Sequence, residues 1–142
     1  MSSPIPGPKP PRANADGRRV LLVEDNDDAA KSMARLLHFK GFVVEIAPDA
    51  DSALEALDRT RPDIVITDLS LPDRDGRAVS RHARTLVPRP NCVMITGWPL
   101  TTNPQEMAEW GIDRIFAKPV EFTLLYEYLE RIKPGASGEG DG

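Results

Sequence analysis

Cysteine, histidine and aromatic side chains are all scarce in this chain. Its 142 residues hold one cysteine and two histidines, and phenylalanine, tryptophan and tyrosine make up only 6%. One cysteine excludes an intrachain disulfide. Cys92 also lies inside the apolar run Cys92-Val93-Met94-Ile95, so it reads as a core residue of a chain suited to a reducing compartment, not as a nucleophile. His38 and His82 each fall in a helical stretch beside charged or polar neighbours, which makes them solvated side chains rather than phosphodonors. Long apolar runs are missing too: none approaches the roughly 18 residues of a membrane-spanning helix, and the N-terminus has no apolar stretch of the signal-peptide kind. A cytoplasmic chain without membrane insertion is the expectation. Basic clusters are absent: 18 Lys and Arg are scattered among 22 Asp and Glu, and the net charge of -4 argues against direct nucleic-acid binding.

What is present is alternation. Residues 1–17 carry Pro4, Pro6, Pro8, Pro10 and Pro11 and read as a disordered, extended tail, and the Gly-rich residues 134–142 read as a flexible one. Between them, residues 18–133 form one domain with a single core. The first strand is expected at Val20–Glu24, followed by a helix from Asp28 to Lys40 with Ala30, Met33, Ala34 and Leu37 on one face and Gly41 as its stop. A strand at Phe42–Ala47 leads to a helix capped by Asp49 and striped by Ala50, Ala53, Leu54 and Leu57. The third strand is Ile64–Asp68, and Val79, Ala83 and Leu86 mark the helix after it. Cys92–Thr96 is the fourth strand; Asn103-Pro104 then starts a short helix that Gly111 closes. Arg114–Ala117 is the fifth, and Phe122, Leu125, Leu129 and Ile132 give the last helical stripe. Five strands alternating with five helices imply parallel pairing by right-handed crossovers, hence an α/β, doubly wound, five-stranded parallel sheet with helices on both faces.

The ends of the strands carry the chemistry. A nucleotide-binding α/β domain usually places glycines after its first strand to receive phosphate on backbone N–H groups, and this chain has Glu24-Asp25-Asn26 there. Two adjacent carboxylates repel a phosphate unless a hard cation lies between them. Mg²⁺ suits that place because it takes oxygen ligands and is held by one or two carboxylates plus a phosphate oxygen. A structural reading, in which Glu24 and Asp25 only favour the dipole of the next helix, competes with it. Asp68 at the end of the third strand adds a third carboxylate, able to attack phosphorus when a cation neutralises its surroundings. Thr96 and Lys118, at two further strand ends, can donate to the oxygens of the transferred group.

These residues bring a family into view: over residues 18–133 the chain resembles the response-regulator receiver domains of two-component signalling. The resemblance implies the flavodoxin-like strand order 2-1-3-4-5. It also implies Asp68 as phosphoacceptor, Thr96 as switch hydroxyl and Lys118 as phosphate contact, before a cis Lys118-Pro119 bond. Mg²⁺ would be the cofactor, bound by Asp25 and Asp68, with Glu24 in or near that shell and the Ser70 backbone carbonyl completing the protein ligands. The implied donor is a sensor histidine kinase or a histidine phosphotransfer protein. Output would pass to a downstream protein target, or by onward phosphotransfer, from a stand-alone regulator or a receiver of a hybrid kinase. Receivers often carry Tyr or Phe three residues before the lysine, whereas this chain has Ile115. Phe116 does not replace it, because neighbouring strand side chains face opposite ways. Trp98, just past Thr96, is expected to shape access to the site. Rival readings fit less well. A haloacid-dehalogenase pattern needs an acid where Ser70 stands, and an EF-hand register puts Leu71 and His82 at its two obligatory acidic positions. The remaining alternative is a receiver-like interaction module that is not phosphorylated.

Overall fold

The computed structural model describes residues 17–98, 100 and 103–132, so the two expected tails, Gly17 apart, lie outside the described residues. The elements run in the order β1 (Arg19–Val23), α1 (Asp27–Phe39), β2 (Val43–Ala47), α2 (Ala50–Thr60), β3 (Ile64–Asp68), α3 (Arg77–Arg84), β4 (Asn91–Thr96), α4 (Pro104–Trp110), β5 (Arg114–Ala117) and α5 (Phe122–Glu130). All strand pairs are parallel, and the sheet order is β2-β1-β3-β4-β5. The expected architecture is therefore the observed one.

Local sequence accounts for most of the boundaries. The Asn26 side chain accepts from Ala29 N–H at 2.8 Å and Asp49 from Ser52 N–H at 2.8 Å, each an N-cap worth about 1 kcal/mol. Asn103 caps α4 by accepting from Gln105 N–H at 2.8 Å, with Pro104 as the first helical residue. β1 begins and ends one residue before the expected span, yet Glu24 N–H still bonds Ala47 carbonyl at 3.0 Å and carries the ladder one step further. β2 starts at Val43, one residue after the expected Phe42, and β4 starts at Asn91, one residue before the expected Cys92. Leu86 and Ile132, expected on helical stripes, lie just past the ends of α3 and α5, where both still pack on apolar clusters.

The centre of the sheet is buried on both faces, and period-two alternation sorts its side chains into two layers. Val20, Leu22, Ile64, Ile66, Val93, Ile95 and Phe116 pack with Leu37 of α1 and with Leu125 and Leu129 of α5. Leu21, Val23, Val65 and Cys92 pack with Ala53 and Leu57 of α2 and Val79 and Ala83 of α3. Each fully buried Val, Leu or Ile contributes about 1.5–3 kcal/mol, so the near-continuous apolar runs of β1, β3 and β4 fix the centre of the sheet. This rigid centre delivers the strand ends to one rim.

Candidate functional site

β1 and β3 are neighbours, with Val23 opposite Thr67, so the residues just past Val23 meet the end of β3. Carboxylate oxygens of Glu24, Asp25 and Asp68 lie within 4.8 Å of one another. Asp68 is 4% exposed. Lys118, delivered by β5, reaches across the rim, its Nζ 2.7 Å from Asp68 Oδ1 and 2.9 Å from Oδ2. Glu24 is anchored by Asn26 N–H, which donates to its Oε2 at 2.9 Å. A cleft of about 350 Å³ opens here, with Glu24, Asn26, Asp68 and Lys118 on its polar side and Met33 and Val120 on its apolar side.

The charges are unbalanced. Three carboxylates face one ammonium, and a like-charged pair at this separation repels by on the order of 3 kcal/mol at an effective dielectric of about 20. Burial pushes the Glu24 carboxyl above its usual range, and the negative charges of Asp68 and Asp25 push the same way. Burial pulls the Lys118 ammonium down, but the hydrogen bond it donates to Asp68 and the charges of Asp68, Glu24 and Asp25 outweigh it, so its pKa is raised. An all-oxygen, net-negative donor set of this kind fits a hard divalent cation. Softer metals are not favoured, because neither histidine nor cysteine belongs to the cluster.

The loop after Asp68 is built to return sharply. Gly76 N–H donates to Leu69 carbonyl at 2.6 Å, and Ser70 pairs with Asp75 in an isolated antiparallel bridge. A Cβ on Gly76 would stand 2.1 Å from the Asp68 carbonyl oxygen, so only glycine lets the chain pass this close to Asp68. Asp75 then accepts from Arg77 N–H at 2.7 Å and pairs with the Arg77 guanidinium at 2.7 Å, which fixes the entry to α3.

Thr96 ends β4 on the other side of Asp68 and is 4% exposed. Its Oγ1 accepts from Trp98 N–H at 2.9 Å, while the Trp98 side chain is largely exposed. Ile115 sits beside Met94 and Phe116 beside Ile95, and Phe116 enters the α1/α5 layer against Tyr128. Phe116 thus points away from Ile115's face, as strand alternation requires. The Lys118-Pro119 bond is cis. His38 is exposed, but His82 is partly buried and its Nε2 lies 2.8 Å from Asp58 Oδ1, so it ties α3 to α2 instead of standing in solvent.

The family model for the response regulator receiver domain matches residues 20–130. The chain belongs to that family. This receiver is 32% identical to Response regulator MprA of Mycobacterium leprae over 115 residues, 81% of this chain and 49% of MprA. It is 28% identical to Sensor histidine kinase RcsC of Salmonella typhimurium over 137 residues, 94% of this chain and 14% of RcsC. Among solved structures it resembles a response regulator receiver domain protein of Methanospirillum hungatei JF-1, with a TM-score of 0.74 and 29% identity over 80% of this chain and 91% of that one. The chain spans about half or less of the curated relatives it matches. Those relatives include both a response regulator and a sensor kinase, so the receiver module is what is shared.

Two features of the receiver's site were not legible in the sequence. The amide of Trp98 on the Thr96 hydroxyl depends on how the backbone turns after β4. Asp73, unremarkable in sequence, accepts the backbone N–H groups of Ala50 and Asp51 at 2.9 Å each. Its place in the run Leu71-Pro72-Asp73-Arg74-Asp75-Gly76, which looks like a receiver's loop after Asp68, is a signal, but nothing in the sequence says which amides the carboxylate will meet.

Proposed function

We propose that this receiver accepts a phosphoryl group on Asp68 from a phosphohistidine of a sensor histidine kinase or histidine phosphotransfer protein. The observation that carries this reading is a buried carboxylate with an ammonium on both its oxygens and two more carboxylates within 4.8 Å. An Asp68 oxygen attacks phosphorus, the new O–P bond forms as the P–N bond breaks, and the imidazole leaves with that electron pair and takes a proton from solvent. Glu24, Asp25, Asp68 and the Ser70 backbone carbonyl would hold Mg²⁺. When bound, Mg²⁺ supplies the positive charge that lets a carboxylate and a phosphoryl group approach. The Lys118 ammonium and the Thr96 hydroxyl donate to phosphoryl oxygens, where charge accumulates as the group transfers. For Thr96 this requires the hydroxyl to turn from the Trp98 backbone.

The functional unit is residues 18–133, flanked by tails at 1–17 and 134–142, and it works in the cytoplasm. Its output passes through contacts with a downstream protein or by onward phosphotransfer, without direct contact to nucleic acid. The scattered cations and the net charge of -4 support that last point.

Intact-mass measurement after incubation with acetyl phosphate and Mg²⁺ tests the reading. One phosphoryl adduct is expected on the wild-type chain and none on Asp68→Ala. An unmodified wild type, or the same adduct on Asp68→Ala, overturns it in favour of a module that works without phosphorylation.

A further inference from the structure

Asp73 belongs to the loop after Asp68, but its bonds leave that loop. Oδ1 accepts Ala50 N–H at 2.9 Å and Oδ2 accepts Asp51 N–H at 2.9 Å. These are the first two amides of α2, groups that have no partner inside a helix. The third, Ser52 N–H, is taken by the Asp49 side chain at 2.8 Å, and Ala53 N–H on the Asp49 carbonyl at 3.1 Å begins the regular helical ladder. The first three helical amides of α2 are thus paired, two of them by a carboxylate from a different loop. The hydrogen bond from Ala50, joined by that from Asp51, holds the Asp73 carboxyl below its usual range.

Neighbouring contacts reinforce the attachment. Arg74 pairs with Asp51 at 2.9 Å, and Leu71 packs on the apolar cluster that contains Leu57 of α2. At the other end the loop is closed by Gly76 N–H on the Leu69 carbonyl and by the Ser70–Asp75 bridge. The segment is therefore a small ring, with its base at the end of β3 and its tip fastened to α2. Ser70 lies on the ring between those two attachments.

We propose that Asp73 is a positioning residue of the acceptor site: its carboxylate, seated on the first two amides of α2, fixes the loop that offers the Ser70 carbonyl to the cation, and so sets the affinity for Mg²⁺. The inference rests on the metal and acceptor roles proposed above for Glu24, Asp25, Asp68 and Ser70. Asp73 itself touches neither the cation nor the phosphoryl group. It acts through the loop, as outer-shell partners do at other metal sites.

Calorimetric titration of the unphosphorylated full chain with MgCl₂ tests it. Asp73→Ala is expected to weaken Mg²⁺ binding by about 10-fold or more, the usual effect of losing an outer-shell partner. Asp73→Asn, which keeps one carbonyl oxygen for one of the two amides, falls between that variant and wild type. Amide exchange at Ala50 and Asp51 accelerates in Asp73→Ala. Asp49→Ala removes the other cap of the same helix and lowers the unfolding temperature, but leaves Mg²⁺ affinity unchanged, which separates positioning from simple loss of helix stability. Wild-type affinity in Asp73→Ala, or an equal loss in Asp49→Ala, overturns the inference alone. A wild-type chain that binds no Mg²⁺ overturns the site reading beneath it and the inference with it.

Discussion

α2 and α4 both pack against α3, one on each side, yet they are held in different ways. α2 buries Ala50, Ala53, Ala56 and Leu57, and its ends are tied to other elements through Asp73, through Arg74 on Asp51 and through His82 on Asp58. No residue of α4 is buried. Its links to α3 are at the surface: the Arg77 guanidinium 4.6 Å over the Trp110 ring, and an Arg84 hydrogen bond of 3.4 Å to the Glu109 carbonyl. The acceptor loop leans on the first helix, and Thr96 with Trp98 leads into the second. Local stability follows buried apolar contact, so the rim has a firm side that carries the proposed cation ligands and a yielding side next to Thr96.

The largest test of this contrast compares two glycines. Gly76→Ala drives a Cβ to 2.1 Å from the Asp68 carbonyl in the firm half, where nothing can give way. It should lower the unfolding free energy by about 3 kcal/mol, read from a urea midpoint. Gly111→Ala meets the Ser80 carbonyl at 2.3 Å and is also strained by a φ of +78°. Because α4 can lift away from α3, the cost should be only about 1–2 kcal/mol. Equal costs would mean that α4 is held as tightly as the acceptor loop, and the contrast would fall.

The next effect concerns the ion pair that joins the two halves. Lys118 arrives from β5 and Asp68 from β3, at 2.7 Å. Lys118→Met leaves a buried carboxylate beside Glu24 and Asp25 with no cation. Removing one partner of a fully buried pair costs about 3–5 kcal/mol, but the Lys118 side chain is 42% exposed, so about 2 kcal/mol is expected. Added Mg²⁺ should restore part of that loss in a thermal melt. A Lys118→Met chain as stable as wild type without Mg²⁺ would show that the carboxylates do not strain the rim.

Amide exchange measures the contrast itself. The α4 amides are expected to open with a free energy about 2 kcal/mol below those of α2, or roughly 30-fold faster exchange. Matching protection in the two helices would contradict the assignment of a yielding side.

Much of this arrangement is legible without coordinates, and the reason differs from residue to residue. Asp68 and Lys118 are readable because a parallel sheet sends every strand end to one rim, so strand position alone places them together. The Asn103-Pro104 start and Gly111 stop of α4 are local rules that tertiary structure did not override. Glu24, readable as a strand end, lies just past β1, and its ladder bond to Ala47 keeps it on the rim. Asp73 was invisible for the opposite reason. Its role depends on a contact with α2 more than 20 positions away, and no spacing rule connects a loop carboxylate to a distant helix start. The looseness of α4 was equally hidden, since its cap and stop signals describe how a helix begins and ends but not how much of it becomes buried.

The smallest expected effect comes from pH and sets the two helix starts against each other. Asp73 is held below the usual range by the amides of Ala50 and Asp51, so its folded pKa lies under its unfolded one. The stability it adds is full above about pH 4, the ordinary value for aspartate, and is lost as pH falls through the depressed folded value. Asp75 adds to the same acid limb, because its bonds to Arg77 outweigh the partial burial that would raise it. In α4 the corresponding cap is Asn103, a neutral amide with no proton to gain. Acid should therefore expose the Ala50 and Asp51 amides to exchange while leaving the bonded amides of Gln105 and Glu106 at their neutral-pH opening free energy. Asp73→Ala should flatten the acid limb of the stability curve without moving α4. If protection is instead lost together at both helix starts, Asp73 is not the group whose protonation releases the loop.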